Sequence, residues 1–170
     1  RLIQASTNPD LLNSQINYSD LSGYDNSETE VNGILSEKEF DLRIGQQPKS
    51  ETYKSMHLSD VISPKFTCGI DLVTKLVAEG KKVLVWATFV DTIKKIQNAL
   101  ENKGILVNIV YGGTAKDKRV DLIDDFRDGD VQVLVSNPQT LAESISLHQT
   151  VHDAVYFEYD FNLTYMLQSR

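Results

Sequence analysis

Four short apolar runs, rich in β-branched residues, constrain this chain more than any other feature. They are KKVLVWATF at residues 81–89, ILVNIVY at 105–111, VQVLVS at 131–136 and DAVYFEY at 153–159. Runs of this length with little polar alternation read as strands buried on both faces. Amphipathic stretches alternate with them. Ser63 and Pro64 suit an N-cap and first helical position, Phe66, Ile70, Val73 and Val77 fall on one helical face, and Gly80 supplies a stop. A second stretch carries Ile93, Ile96 and Leu100, with Asp91 placed to cap it and Gly104 to end it; a third carries Val120, Ile123 and Phe126 and stops at Gly129. Strand and helix in alternation predict an α/β domain with a mostly parallel, doubly wound sheet and helices on both faces. Residues 83–85, 105–110, 131–135 and 155–157 should be interior. Ligands of such sheets gather at loops leaving the carboxyl ends of the strands, here residues 136–147 and 158–162 above all.

The remaining residues bound the reading. A chain of 170 residues has room for one domain with an appendage. It has 41% hydrophobic residues, no continuous apolar run of membrane-spanning length and no charged-then-apolar leader, so a membrane is not an expected partner. One cysteine, Cys68, excludes an internal disulfide and fits a reducing compartment; a cytoplasmic location is expected, nucleoid-associated if the source is bacterial. The net charge of -7 argues against a strong, general nucleic-acid binder acting alone, but leaves room for a local phosphate-binding surface. The opening RLIQASTNPDLL reads as a helix end broken at Asn8-Pro9, in a chain cut from something longer. Residues 13–62 are polar and aperiodic, and are expected to form an irregular insertion.

Several catalytic constellations can be weighed directly. There is no G-x-x-x-x-G-K-[ST] and no G-x-G-x-x-G, so no complete nucleotide-hydrolysing site is present. Gly112-Gly113-Thr114, at a strand-to-helix turn, is either a tight turn or a phosphate-holding loop. Glu158 and Asp160 could pair on a metal, but without a phosphate loop they read better as turn or cap residues. His148 and His152 lack a clear third ligand, and no metal site is expected. Ser136, Ser144 and Ser146 lie near His148 without a G-x-S-x-G elbow, which argues against a hydrolase triad. Ala87-Thr88-Phe89 lacks the acidic residues of a phospho-receiver domain.

From residue 64 onward the motifs resemble, in order, the second RecA-like lobe of superfamily-two helicases, and most closely the Swi/Snf-type ATP-dependent DNA translocases. KVLVWATFVDTIKKIQNAL looks like the strand and helix of motif IV. YGGTAKDKR, with Phe126 seven residues after Arg119, is similar to the family's glycine, basic helix and phenylalanine pattern. VLVSNPQTLAESISL stands where motif V stands. DAVYFEYDFNLTYMLQ resembles the acidic, aromatic run that leads to the opening glutamine of motif VI. RLIQASTNPDLL is a weaker echo of the segment entering that lobe. Motif V departs from the family, with Leu141, Ala142 and Ser144 in place of glycines and Ser146 in place of asparagine; Phe161 and Leu163 replace tryptophan and proline.

The resemblance implies a three-layer RecA-like lobe at residues 63–170, truncated within motif VI, after an entering segment and insertion at 1–62. It places Thr88, Gly112, Thr114, Lys116, Arg119, Ser136 and Asn137 on or beside a DNA track. Glu143, Ser144, Ser146 and Gln168 would face the ATP cleft. No catalytic residue falls within the chain, because the arginine finger would follow Arg170. ATP and Mg²⁺ would serve the full-length protein and would not be bound by this chain alone. DNA, duplex or single-stranded, and the N-terminal RecA-like lobe of the same polypeptide are the implied partners. A lobe that has lost its motor and acts as an interaction scaffold is the alternative, favoured by the eroded motif V glycines. Independently of that choice, the plainer alternative for single residues is that Arg119 only pairs with Asp124 or Glu101 and that Lys116 and Lys118 form a solvated helix face.

Overall fold

The computed structural model describes residues 6–12, 61–141, 147 and 149–159. Nearly all of the expected insertion at 13–62 lies outside the described residues, as do Glu143, Ser144, Ser146, His148 and Gln168. After a 3-10 turn at Pro9–Leu12 come α1 (Pro64–Ala78), β1 (Val83–Trp86), α2 (Val90–Glu101) and β2 (Val107–Val110). They are followed by α3 (Lys116–Asp128), β3 (Val133–Ser136), the single-turn α4 (Pro138–Leu141) and β4 (Asp153–Tyr156).

The strands form one parallel sheet in the order β2-β3-β1-β4. In this register Val110, Ser136, Trp86 and Tyr156 stand in one row across the carboxyl end, so all four outgoing loops leave from the same edge. Alternate side chains serve two cores, as the pleat requires. Val83, Val85, Val133, Val135, Val155 and Phe157 pack under α1 and α2, with Phe66, Ile70, Val73, Ile93, Ile96 and Leu100. Leu84, Trp86, Val110 and Leu134 face the other way and meet Ile123 and Phe126 of α3, with Leu141 of α4. The three-layer α/β architecture is therefore as the apolar runs indicate. Among the described residues no helix is long and apolar enough to cross a membrane.

The helix ends follow partly from local chemistry. Ser63 accepts a hydrogen bond from the Phe66 N–H (3.4 Å) with Pro64 next to it, and its own hydroxyl donates to the Ser6 carbonyl. Gly80 and Gly104 take φ of +80° and +77°, a region costly to residues with a Cβ, and so end α1 and α2. Three local expectations fail. Leu106, in a run expected to be interior, is 53% exposed beside the edge strand β2. Helix α2 starts at Val90, so Asp91 lies inside its first turn and Phe89 occupies the N-cap without a side-chain cap bond. Val120 is 59% exposed. Helix α3 packs through Ile123 and Phe126, whereas its first turn stands at the sheet's carboxyl edge, where there is no strand surface to cover it.

Candidate functional site

The carboxyl edge of the sheet carries the loops at residues 87–89, 111–115, 137–141 and 157–159. The first and last are joined by one side chain. Glu158 is completely buried. Its Oε2 accepts hydrogen bonds from the N–H groups of Thr88 (2.9 Å) and Phe89 (3.1 Å), and its Oε1 accepts from the Thr92 hydroxyl (3.0 Å). It holds the start of α2 from outside, by the N–H of the N-cap residue Phe89 and of Thr88 before it and by the Thr92 hydroxyl within the first turn. Burial pushes the Glu158 carboxyl above its usual range; the three hydrogen bonds and the charge of Lys65 oppose that shift without cancelling it.

Local chemistry builds the 111–115 loop. Thr114 closes it by donating its N–H to the Tyr111 carbonyl (2.8 Å) and accepting the Tyr111 N–H on Oγ1 (3.1 Å). Arg119, one turn into α3, reaches back; its Nε donates to the Thr114 carbonyl (2.8 Å) and its Nη2 to that of Gly112 (2.9 Å). Arg119 therefore braces the loop, rather than pairing with Asp124 or Glu101. Neither Gly112 nor Gly113 has a positive φ, and nothing lies within 4 Å of where a Gly112 side chain would begin. The backbone here is approachable from outside.

The charge pattern of α3 runs against its own stability. Lys116, Lys118 and Arg119 outnumber Asp117 in its N-terminal turns, although a helix start favours negative charge, and Asp124, Asp125 and Asp128 outnumber Arg127 at its end. Lys82 offsets the second fault by donating to the carbonyls of Phe126 (2.6 Å), Arg127 (3.3 Å) and Gly129 (2.7 Å). At the first, positive charge and a helix N-terminus stand together at the carboxyl edge of the sheet, which raises the local attraction for anions.

Ser136 ends β3 and Asn137 follows it. Ser136 is fully buried, and its hydroxyl donates to the Val110 carbonyl (2.6 Å), tying β3 to β2 at the loop exits. The Asn137 Oδ1, Thr140 Oγ1, Thr88 Oγ1 and Trp86 Nε1 atoms are buried without a hydrogen-bond partner. Such an atom costs about 1–3 kcal/mol and needs an explanation in its surroundings. Among the described residues one further buried side-chain atom, Asp10 Oδ1, shares this condition. The other four lie at the end of β1 (Trp86), in the loop after it (Thr88), just after β3 (Asn137) and in α4 (Thr140). Apart from Thr88 and Asn137, their candidacy is invisible in the sequence, since an unpaired buried atom declares itself only in three dimensions. No group of three or more His, Cys, Asp or Glu side chains among the described residues is arranged to hold a metal ion.

The entering segment docks on the same domain. Lys95 of α2 donates to Asn8 Oδ1 (3.0 Å) and pairs with Asp10 (3.3 Å). Thr7 accepts from Lys65 (3.2 Å) and donates to the Phe157 carbonyl (3.3 Å), and Leu11 is buried.

Comparison with known proteins bears on this arrangement. The family described as helicase conserved C-terminal domain matches residues 65–170, well over half of the chain. No curated protein matches the sequence. Among solved structures, the C-terminal part of the Fun30 ATPase domain aligns at 19% identity over 79% of this chain and 44% of that one, with a TM-score of 0.58. The Pyrococcus furiosus Hef helicase domain aligns at 18% identity over 76% of this chain and 29% of that one, with a TM-score of 0.53. Both likenesses concern the fold alone. The Sulfolobus solfataricus SWI2/SNF2 ATPase C-terminal domain shares 26% identity over 56% of this chain and 42% of that one, at a TM-score of 0.49. The chain spans less than half the length of each of these three chains.

Proposed function

The chain belongs to the helicase conserved C-terminal domain family, and from that premise we propose that it is the second motor lobe of an ATP-dependent, Swi/Snf-type DNA translocase. In this reading the lobe closes on ATP held by a first lobe of the same polypeptide and grips DNA phosphates with the loops at its carboxyl edge. Residues 1–62 lead into it. The observation that carries the proposal is the set of unpartnered polar atoms on Trp86, Thr88, Asn137 and Thr140 at that edge. A self-contained scaffold has no reason to collect them there. A lobe that meets nucleotide, DNA and a second lobe in turn does, because each closure can supply the missing partners.

The roles divide by geometry. Gly112 offers open backbone, with Lys116 and Lys118 adding positive charge beside it. Thr114 and Arg119 hold that loop in shape, and Ser136 does the same for the exit of β3. Thr88 and Asn137 have buried side-chain oxygens without a partner, which a movement of these loops on closure would bring within reach of new ones. Glu143, Ser144, Ser146 and Gln168 remain the proposed nucleotide-facing set. ATP and Mg²⁺ belong to the complete two-lobe site, where an arginine finger is worth on the order of 10³–10⁵ in rate.

Phosphate release, measured with and without DNA, tests the proposal. The full-length protein should hydrolyse ATP and be stimulated by DNA, whereas residues 1–170 alone should not turn over ATP. DNA binding by residues 1–170 should be weak and fall steeply with salt, by roughly 0.9 per phosphate contact on a log-log plot for duplex. A full-length protein without ATP hydrolysis would hand the chain to the scaffold reading.

A further inference from the structure

The motor reading leaves one buried acid without a task. Glu158 lies two residues beyond the end of β4, and the chain from there runs on to Gln168. Its carboxylate is fixed on residues 66 to 70 positions earlier in sequence, across the exit of β1. An ordinary helix cap is a serine, threonine, aspartate or asparagine at the N-cap itself, which satisfies the orphan N–H groups without burying a carboxylate. Phe89 holds that place here. The helix start is gripped instead from the chain after β4, which holds the Thr88 N–H as well as that of Phe89.

Other bonds meet at the same point. The Phe157 N–H donates to the Trp86 carbonyl (2.9 Å), and the Phe157 carbonyl accepts the Thr7 hydroxyl. The entering segment, the loop after β1 and the chain leaving β4 are therefore joined at Phe157 and Glu158. Hydrogen-bonded networks, like packed side chains, are the contiguous contacts through which elements are coupled.

We infer that Glu158 is a positioning residue that sets the 87–89 loop through the Thr88 and Phe89 N–H groups, so that movement of the chain leaving β4 is passed to the loop bearing Thr88. This rests on the proposed function, in which that loop meets DNA and the chain beyond β4 leads to the nucleotide cleft.

The experiment uses the full-length protein and compares wild type with Glu158→Ala, Glu158→Gln and Thr92→Val. Melting temperature, ATP turnover without DNA and the DNA concentration giving half-maximal stimulation are measured for each. Glu158→Ala should raise the half-saturating DNA concentration about tenfold, a size usual for residues that couple two sites, while DNA-free turnover persists. Glu158→Gln should stay near wild type, because its carbonyl oxygen can accept both N–H groups and its amide can donate to Thr92. If Glu158→Ala does not fold, Thr92→Val decides, with an expected rise of about two- to threefold for the loss of one of the three bonds. An unshifted half-saturation in a folded Glu158→Ala or Thr92→Val protein would overturn the inference, as would a Glu158→Gln protein as impaired as the alanine variant. A wild type without DNA-stimulated turnover would overturn the motor reading, and this inference with it.

Discussion

Two loops at the same edge of the sheet are held in opposite ways. Residues 111–115 are braced from nearby: Thr114 closes the turn on Tyr111, and Arg119 returns from the next helix to the Gly112 and Thr114 carbonyls, all within 8 residues. Residues 87–89 are held by Glu158, some 70 residues away and completely buried. The first arrangement is local and partly solvated, so water can replace any bond that breaks. The second is remote and dry, so losing it strands N–H groups that nothing else can satisfy. One loop can be tuned without risk to the fold, whereas the other is bound up with it.

Stability measurements should expose that asymmetry. Glu158→Ala should cost about 2–4 kcal/mol in chemical denaturation, since it removes three hydrogen bonds and leaves the buried Phe89 N–H and the half-buried Thr88 N–H unpaired. An effect below that of an ordinary surface substitution would break the comparison.

The pH dependence should sharpen it. Burial raises the Glu158 carboxyl in the folded chain above its ordinary value of 4.5, so between that value and the folded one the native state holds more protons than the unfolded state. Its contribution is therefore greatest below pH 4.5 and declines as pH rises through that window. Other carboxyls titrate nearby, so the quantity to measure is the difference between wild type and Glu158→Gln. That difference should shift against the wild type as pH rises, and a shift of opposite sign would mean that the hydrogen bonds outweigh burial.

Arg119→Ala should cost less, about 1 kcal/mol, because solvent can reach the carbonyls it leaves behind. Arg119→Lys should not restore the loss, since a single ammonium cannot reproduce the two-pronged grip. A denaturation series on both variants measures this. If Arg119→Ala matched Glu158→Ala, the two loops would be held alike after all.

The smallest expected change is at Gly112. A Cβ there meets no atom within 4 Å and the φ is not positive, so for the exposed Gly112→Val stability should move by less than about 0.5 kcal/mol. The same substitution should weaken DNA binding severalfold in a salt titration, because it covers the open backbone. Unchanged binding would make Gly112 merely a turn residue.

What the sequence determined by itself is the set of features that depend on neighbours along the chain. The four apolar runs became four parallel strands, the central β1 and β3 buried on both faces and the edge strands β2 and β4 only in part. Ser63-Pro64, Gly80 and Gly104 began and ended helices, because capping and left-handed φ are properties of a few consecutive residues. The order of motifs placed the chain in its helicase family for the same reason. The reading of Glu158 as a cap residue was also sound, but the helix it caps could not be read from spacing. Asp91 stood in the better position by local rules, yet it lies inside the helix and does not cap it. Val120 fitted the helical period but stands beyond the strands that would have covered it. The tertiary structure alone decided which buried oxygens at the carboxyl edge go unpaired, that Lys82 caps α3 from the start of β1, and that Glu158 reaches Thr88. Each depends on which strand lies beside which, and a parallel sheet brings together residues that a helix-length crossover has separated in sequence.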